Sequence, residues 1–340
     1  MAATLYTGNN STQTVANTVN GVSMQPDFVW LKSRQYTTVG HSLFDALRPI
    51  GANTSLPRLV SNSTSAEANN GGLTAFVSTG FSLNNDAYVN SSTTGGNMVA
   101  WQWNAGGSTV TNTSGSISAQ VRANTTAGFS VVTYTGTGAN ATVGHGLGVA
   151  LNFIIIKDRT SGSNFWVVGG TSIGFTSDNY LRLNGTGAIE AGGGVAWNST
   201  APTSTVFSIG TSSVLNASSN TYVAYCFAAV AGYSAFGSYT GNGSADGPFV
   251  YLGFRPRFIM FKRTDSANVW SILDTGRDLS NVTNLSLQPS SSIAQETGKN
   301  IDFLSNGFKQ RQTDAGWNAS GGTYIYAAFA ENPFKYANAR

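Results

Sequence analysis

Residues 153–157 read Phe-Ile-Ile-Ile-Lys, and the same kind of segment stands at 28–32 as Phe-Val-Trp-Leu-Lys and at 258–262 as Phe-Ile-Met-Phe-Lys. Short runs rich in aromatic and β-branched residues predict strands. The closing residues Lys32, Lys157 and Lys262 are 125 and 105 positions apart. A period near 100 residues indicates tandem domains, because solenoid units repeat about every 20 to 50 residues.

Two further landmarks keep the same order around this lysine strand. A Tyr-Thr-Gly turn comes before it, and an asparagine followed by an aromatic strand comes after it. The landmarks begin at Tyr6, Tyr134 and Tyr239, and at Asn90, Asn216 and Asn318. The asparagines are 126 and 102 positions apart, close to the spacing of the lysines. We therefore expect one fold used three times, over residues 1–107, 108–232 and 233–340, called here the first, second and third copy.

Within a copy, short aromatic and β-branched segments alternate with clusters of Gly, Asn, Ser and Thr, which predicts an all-β fold. We expect three tandem homologous β-sandwich domains of jelly-roll or lectin-like type with very little helix. The predicted strands of the third copy are 236–241, 249–254, 257–264, 269–274, 284–288, 301–311 and 323–330. Residues 65–69 and 292–296 are the two candidates for a single helical turn, with a loop as the alternative.

The relation between the copies stays open at this point. Three similar units fit both a pseudo-threefold arrangement and a tandem row. Residues 106–126 are rich in Gly, Ser, Thr and Asn and so resemble a linker, but the alternating run 116–122 fits an extra strand of the second copy. The junction at 231–234 is short, which predicts a fixed relation between the second and third copies.

The composition excludes several classes of function. Charged residues make up 10% of the 340 residues, against about 25% on average, and the net charge is +3. Because no cluster of lysines and arginines occurs, nucleic-acid binding is not expected. No apolar stretch approaches the length of a membrane span, and the first residues lack a basic and apolar leader, so neither membrane insertion nor a classical export signal is expected.

The titratable residues offer few sites for chemistry. With one cysteine, Cys226, and two histidines, His41 and His145, neither a disulfide framework nor a zinc site is expected, and we predict no metal and no cofactor. His145 lies in a glycine-rich turn that lacks the lysine and hydroxyl residue of a phosphate loop. His41 precedes an apolar pair and is expected to be partly buried. Cys226 lies within an aromatic strand and is expected to act as a small buried apolar residue.

A carboxylate and an arginine recur together as Asp45-Ala-Leu-Arg48 and Asp274-Thr-Gly-Arg277. A carboxylate beside basic groups fits two interpretations. It could form a binding site, or it could form an ion pair with the arginine three residues later, or with Lys32 or Lys262 on a neighbouring strand, and so fix a turn. The second copy carries Val168-Gly-Gly170 at this place, which favours the structural interpretation. Glycoside hydrolysis needs a second carboxylate at about 5 to 9.5 Å, and no motif marks such a dyad. We predict no enzymatic activity and no catalytic residue.

The aromatic strand that follows the asparagine in each copy is called here the closing strand. Its aromatic residues are the remaining candidates for a ligand site. Trp101 and Trp103 lie two positions apart and so share a face, where they could stack against sugar rings. Tyr222, Tyr324 and Tyr326 lie on the corresponding strands of the other copies. Because aromatics recur in all three copies, core packing is the preferred interpretation. Triplets of the form Asn-x-Ser/Thr, such as those at Asn198 and Asn318, follow from a composition rich in Asn, Ser and Thr.

Several segments resemble a known module. They are Pro26–Arg34 with Leu43–Asp45 and Arg48, Asn124–Gly138, Gly144–Val149, Tyr222–Phe227, Gly237–Gly243 and Gly322–Phe334. These segments are similar to a repeat module of tailed-bacteriophage virion proteins, which are described as tail fibre or tail structural proteins. The chain departs from the pattern at Val167–Gly170, where the resemblance predicts a more polar or aromatic end.

The resemblance implies a non-enzymatic bacteriophage virion structural protein, a tail fibre or receptor-binding component for host attachment. A capsid (head) decoration protein is the alternative, and a glycan-degrading tail enzyme has less support. The implied partners are other virion proteins, further copies of the chain as a homo-oligomer, with a trimer as one option, and a host-surface glycan. The implied location is the extracellular phage particle, in the tail rather than the head. The sequence names no ligand-binding residue, receptor or anchoring partner.

Overall fold

A computed structural model of the chain describes residues 1–18, 22–50, 54–93 and 96–332. The structure is all-β, as expected: strands joined by turns and irregular loops, with two short helical turns in the described residues. The first copy contains β1 (Ala2–Thr7), β2 (Gln13–Ala16), β3 (Phe28–Ser33), β4 (Ser42–Asp45), β5 (Leu59–Val60), β6 (Leu73–Val77), β7 (Gly80–Leu83) and β8 (Asn97–Trp103).

The second copy contains β9 (Val110–Asn112), β10 (Ala119–Asn124), β11 (Phe129–Thr135), β12 (Ala141–Gly144), β13 (Phe153–Asp158), β14 (Val167–Gly170), β15 (Asn179–Arg182), β16 (Glu190–Ala191), β17 (Val206–Ile209), α1 (Ser213–Asn216) and β18 (Thr221–Phe227). The third copy contains β19 (Ser234–Thr240), β20 (Phe249–Tyr251), β21 (Pro256–Arg263), β22 (Ser271–Asp274), β23 (Ile301–Leu304), β24 (Gly307–Gln310), α2 (Ala315–Asn318) and β25 (Thr323–Ala330).

The same antiparallel strand order recurs in the largest sheet of each copy. The orders are β1-β8-β3-β4-β5, then β11-β18-β13-β14 within a sheet of eight strands, then β19-β25-β21-β22. In each large sheet the lysine strand therefore lies between two neighbours. One is the closing strand, and the other is the strand that comes directly after the lysine strand in the chain, which is β4, β14 or β22. In the second copy β10 and β9 extend one edge, so part of 106–126 is an added strand rather than a free linker. The copy boundaries themselves stay a prediction.

A smaller sheet covers one face of each large sheet, which gives every copy a sandwich-like pair of layers. The smaller sheets are β2-β7-β6, β12-β17 and β20-β24-β23. In the second copy Ile154 and Ile156 of β13 pack with Phe207 and Ile209 of β17. Residues at the same alternate positions of β3 and β21 pack in the same way against the smaller sheets of their own copies. Each copy thus has an outer apolar core of its own.

The opposite faces of the three large sheets share one further core. Its members come from lysine strands and closing strands of all three copies, among them Phe28, Trp30, Trp103, Phe153, Phe227, Phe258 and Phe329. The ring of Trp103 lies 5.6 Å from the rings of both Phe258 and Phe329, and 6.4 Å from that of Phe129. Because both faces of a lysine strand are buried, its sequence is a continuous apolar run without polar alternation.

Backbone hydrogen bonds join each pair of copies, and three of them repeat one pattern around the molecule. The N–H of Gln295 donates to the carbonyl of Arg34 (2.9 Å), and the N–H of Glu67 donates to the backbone carbonyl of Arg159 (2.9 Å). The N–H of Ile189 donates to Thr264 (2.8 Å). The third copy thus bonds the first, the first bonds the second, and the second bonds the third. The copies form a closed, approximately threefold ring and not a row.

In each copy the Tyr-Thr-Gly turn meets the asparagine that precedes the closing strand. We call this structure the corner. In the second copy the Tyr134 hydroxyl donates to the carbonyl of Leu215 (2.8 Å). The buried Asn216 amide donates to the carbonyl of Gly210 (2.8 Å), and its oxygen accepts from the N–H of Thr137 (2.7 Å). Tyr6 and Tyr239 make the same bond before Asn90 and Asn318. The landmarks therefore mark one recurring joint between the large and small sheets.

Some local predictions are wrong. Residues 65–69 and 292–296 contain no helical turn, because Glu67 and Gln295 direct their backbone donors to neighbouring copies. The helical turns are α1 and α2, which lead into two of the corners. The predicted strand 301–311 is a hairpin of β23 and β24, in which Leu304 pairs with Gly307 and residues Ser305 and Asn306 form the two-residue turn. Residues 284–288 make isolated bridges, such as Leu287 with Ile272, and not a continuous strand.

Candidate functional site

The first predicted site residue, Asp45, lies at the end of β4 inside the boundary between the first and second copies. Its carboxylate accepts from Arg48 Nε at 2.6 Å and from the Tyr225 hydroxyl at 2.9 Å. The backbone N–H groups of Leu47 and Arg48 also donate to it, each at 3.1 Å. The side chains of Asp45 and Arg48 have no exposed surface. The carboxylate is thus saturated by partners of its own chain.

Arg48 and Glu67 extend this network across the same boundary. Arg48 donates to Glu67 at 3.1 Å, and Glu67 also accepts from Arg159 Nε at 2.8 Å. Burial disfavours the charge of Arg48, but Asp45, Tyr225 and Glu67 together outweigh burial and raise its pKa. Burial likewise disfavours the Glu67 charge, yet hydrogen bonds and attraction from Arg159 and Arg48 lower the pKa of that carboxyl. The group therefore holds two copies together as an ionised cluster.

Asp274 repeats the arrangement at the boundary between the third and first copies. Arg277 Nε donates to its carboxylate at 2.6 Å, and the indole Nε1 of Trp101 donates at 2.9 Å. Both charged side chains are again without exposed surface. Gln295 accepts from Arg277 (3.3 Å) and from Arg34 (3.0 Å), in the place that Glu67 takes in the other network. Each predicted Asp/Arg pair is formed, and each is fixed by the neighbouring copy.

At the third boundary both halves of this contact are absent together. Gly170 pairs with Phe153 on the neighbouring strand, as Asp45 pairs with Phe28 and Asp274 with Phe258. Ala327 takes the register position of Trp101 and Tyr225, the two donors. A cavity of about 10 Å³ lies beside Gly170. An acid is thus present only where the facing copy offers it a donor, which is the behaviour of a structural contact.

The three strand lysines are buried and donate to backbone carbonyls instead of to these carboxylates. Lys32 Nζ lies 3.1 Å from the carbonyl of Ser292, in the third copy, and Lys157 Nζ lies 3.0 Å from that of Thr64, in the first. Lys262 Nζ donates to the carbonyl of Arg263. Burial lowers the pKa of each ammonium group to about 8. Lys32 and Lys157 therefore fasten loops of the adjacent copies.

The histidines and the cysteine are also enclosed. His41 is fully buried, not partly, and its Nδ1 accepts from the Trp30 indole at 2.9 Å. Burial lowers the pKa of His41 well below its ordinary value, so the ring is neutral. His145 is buried in its turn, where burial lowers its pKa and the carbonyl of Thr203 lies 3.2 Å from Nε2. Cys226 is a free, buried thiol whose pKa burial raises.

The proposed stacking platform is not open to a ligand. Trp101 and Trp103 share a face, as predicted, but that face belongs to the shared core, and the two side chains are 0% and 3% exposed. Tyr222, Tyr324 and Tyr326 lie on the opposite face, in the outer cores, so they are not the counterparts of the tryptophans. Tyr225 is the counterpart, and the strand register identifies it because Ile155 faces it as Trp30 faces Trp101.

The described residues contain neither a cluster of metal-ligating side chains nor a helix able to cross a membrane. In ranges 1–18, 22–50, 54–93 and 96–332 no group of three or more His, Cys, Asp or Glu side chains is placed to hold a metal ion. Over the same part of the chain no helix has the length and apolar character needed to cross a membrane. The asparagine of one Asn-x-Ser/Thr triplet named above, Asn318, is fully buried in its corner.

Comparison with known proteins gives one relationship. A search of curated proteins and a search of solved structures found no match. A family model described as a domain of unknown function (DUF7483) matches residues 1–333, and so spans all three copies together and treats them as one unit. That extent agrees with a ring in which each copy is completed by its neighbours. The chain belongs to the DUF7483 family.

Proposed function

We propose that the chain is a non-enzymatic structural protein of a bacteriophage particle, a tail fibre or receptor-binding component that presents loops to the host surface. One observation carries this proposal. The charged and aromatic residues that could perform chemistry, above all Asp45, Asp274, Lys32 and Lys157, are used to join three copies into one ring. Such a block suits a mechanical and display role better than a catalytic one.

The surface supports the same proposal. Exposed segments between the strands are rich in Gly, Ser, Thr and Asn, and only 10% of all residues are charged. Loops of this kind vary without disturbing the cores beneath them, and they provide neutral hydrogen-bonding groups for a glycan. We further propose that the copies are tandem jelly-roll-like domains with boundaries near residues 107 and 232. The segments that resemble virion modules supply the link to a phage particle.

A second candidate is a decoration protein of the phage head. The approximately threefold ring favours it, because a threefold body matches local threefold positions of an icosahedral shell. The same symmetry fits the axis of a trimeric fibre, so symmetry alone leaves both places open. In either place we propose other virion proteins as partners. A homo-oligomer remains part of the proposal, although one chain already closes the ring without further copies.

A glycan-degrading enzyme receives less support, since Asp45 and Asp274 are saturated by internal donors. Its test is cleavage of host capsular polysaccharide by the purified chain, followed in parallel with Asp45→Asn and Asp274→Asn. We expect intact polysaccharide with the unmodified chain. Cleavage that both substitutions abolish, in variants shown to be folded, would establish the enzyme instead.

The proposed location is tested by gold labelling of intact particles with an antibody against the chain, viewed by electron microscopy. We expect label on the tail fibres or the tail tip. Label spread over the head would replace this proposal with the decoration protein. Purified particles that carry no label, while the antibody binds the isolated chain, would contradict both.

A further inference from the structure

Arg58 is the exception among the arginines of the described residues, because its guanidinium makes no hydrogen bond and no ion pair. The other described arginines donate from the guanidinium to a carboxylate, an amide or a carbonyl, as Arg48 and Arg277 do. Only 8% of Arg58 is exposed, and its Nε and Nη1 atoms are buried without a partner. A buried donor left unpaired is costly, and more so when it is charged. Such a group calls for a partner from outside the chain.

The guanidinium is held in place before any ligand arrives. Arg58 exchanges two backbone hydrogen bonds with Ala68, at 2.8 and 3.0 Å. The guanidinium carbon lies 4.0 Å from the centre of the Tyr88 ring, a stacking distance. Tyr88 is fixed in turn by Asp86, whose carboxylate accepts from the N–H groups of Tyr88 (2.8 Å) and Val89 (3.0 Å). Preorganisation of this kind reduces the entropy lost on binding.

Arg58 and Tyr88 border a cavity of about 260 Å³ at the boundary between the first and third copies. The other polar side chains on its wall are neutral, and they come from Thr38, Ser42, Asn62 and Ser292. The Asn62 oxygen accepts from the N–H of His41 at 3.0 Å, which orients the amide. The volume is slightly below the range of about 300 to 1,000 Å³ typical for drug-sized ligands, and so suits one monosaccharide ring.

The local charge is positive. Among the residues that the structure describes, no carboxylate lies within 4.0 Å of the Arg58 guanidinium, and the nearby Asp86 is used by its turn. The ammonium group of Lys32 contacts one residue of the pocket wall, because its Nζ lies 3.1 Å from the carbonyl oxygen of Ser292. A planar guanidinium matches the two oxygens of a carboxylate. Neutral hydroxyl and amide groups around it match the hydroxyls of a sugar.

We propose that this pocket binds the carboxylate of an acidic monosaccharide unit, such as a uronic or sialic acid. Arg58 donates to the carboxylate, the hydroxyl and amide side chains contact the ring, and the half-exposed Tyr88 ring covers one side. The inference deepens the proposed function and rests on it, since it names the class of host-surface glycan that the chain would recognise. Seven of the eight described lining residues belong to the first copy, and Ser292 of the third copy completes the wall.

The test is calorimetric titration of the full chain with glucuronic acid and N-acetylneuraminic acid, with glucose and inorganic phosphate as comparison ligands. We expect saturable binding of at least one acidic sugar, with glucose and phosphate each at least about tenfold weaker. Arg58→Gln should weaken the acidic sugar by about tenfold or more. Because that substitution removes an unpaired buried charge, thermal unfolding should show a variant no less stable than the unmodified chain.

Arg182→Gln is the matched control. The Arg182 guanidinium also stacks on an aromatic ring, Phe165 at 3.9 Å, but it is paired with Glu190 at 2.6 Å. This variant should bind the sugar unchanged. If Arg58→Gln fails to fold, Arg58→Lys replaces it. A smaller loss is expected, because lysine keeps the positive charge although it lacks the fork of donors.

Each other result overturns the inference. Phosphate binding as tight as that of the acidic sugars would show a general oxyanion site, and no saturable binding of any acidic sugar would show no site. Equal loss in Arg58→Gln and Arg182→Gln would place the binding elsewhere. The proposed function fails separately, by the particle labelling: sugar binding with unlabelled particles would keep the site and remove the virion role.

Discussion

The two fully buried ion pairs, Asp45 with Arg48 and Asp274 with Arg277, lie where one copy meets another. The Asp274 carboxylate is enclosed with Arg277 and accepts from Trp101 of the first copy, so it balances one charge and satisfies one indole donor. Removing one partner of a buried pair costs far more than the pair contributes, because the remaining charge cannot reach water. The ion pairs are therefore positions where a substitution should strongly destabilise the fold.

Asp274→Asn should lower the free energy of unfolding by about 3 kcal/mol, since it leaves Arg277 charged and buried without an anion. Urea denaturation followed by tryptophan fluorescence measures this loss. Asp246→Asn is the control, because the Asp246 side chain is 77% exposed where it meets Lys309. Its effect should be much smaller. A loss of the same size in both variants would contradict the structural role of the buried pair.

The strand lysines should give the stability a characteristic pH dependence. Burial lowers the pKa of Lys32, Lys157 and Lys262 to about 8, whereas an unfolded lysine has a pKa of about 10.4. Between those values the unfolded chain binds more protons than the folded chain, so these groups make the free energy of unfolding rise with pH above about 8. Urea midpoints at about pH 8 and pH 9 should show a smaller rise in Lys32→Met than in the unmodified chain. Equal slopes would be inconsistent with a buried lysine.

At the level of elements, the corner explains why Tyr-Thr-Gly and the distant asparagine keep their order and spacing. The glycine is required by close approach. A Cβ on Gly136 would lie 2.3 Å from the carbonyl oxygen of Ala217, and one on Gly241 would lie 2.3 Å from that of Ala319. Since the opposing atom is backbone, the contact cannot be relieved by a side-chain rotation. The corner therefore fixes how the small sheet sits on the large one.

Gly136→Ala should destabilise the chain by about 2 kcal/mol or more, because the turn must move away from Ala217. The control is Gly187→Ala, where the nearest atom to the new methyl group would be a carboxylate oxygen of Glu190 at 3.7 Å. That variant should be unchanged or slightly more stable, as the unfolded chain loses freedom. Thermal unfolding of both measures the difference. Similar losses in the two variants would contradict the close approach.

The elements that could be predicted from sequence are those whose secondary structure is visible in the residue pattern of the segment itself. The lysine strand is apolar throughout because both its faces are buried, and that run is visible without the structure. The hairpin of β23 and β24 carried a weaker signal, because the polar residues Ser305 and Asn306, which form its turn, interrupt a run that otherwise resembles one strand. Residues 65–69 have helix-compatible composition, but their backbone donors are taken by another copy, which no local pattern indicates.

At the scale of the whole molecule, sequence spacing cannot distinguish a ring from a row, because both arrangements repeat the same strands. The ring depends on contacts between residues far apart in the chain, such as Tyr225 with Asp45. One signal was present. The second copy has Gly170 where the other copies have Asp45 and Asp274, and the third copy has Ala327 where the others have Trp101 and Tyr225. Such a paired loss is expected only between residues that contact each other. The Arg58 pocket has no motif at all, since its lining comes from separated loops of two copies.

The central claim is that three copies form one cooperative body around a shared core. Trp103→Ala tests it most directly, because the Trp103 ring contacts rings of the second and third copies, including Phe129, Phe258 and Phe329. Differential scanning calorimetry should show a single transition in the unmodified chain, and the variant should show that whole transition lowered, by the equivalent of about 3 to 5 kcal/mol. Separate transitions, of which only the one belonging to the first copy moves, would contradict the account.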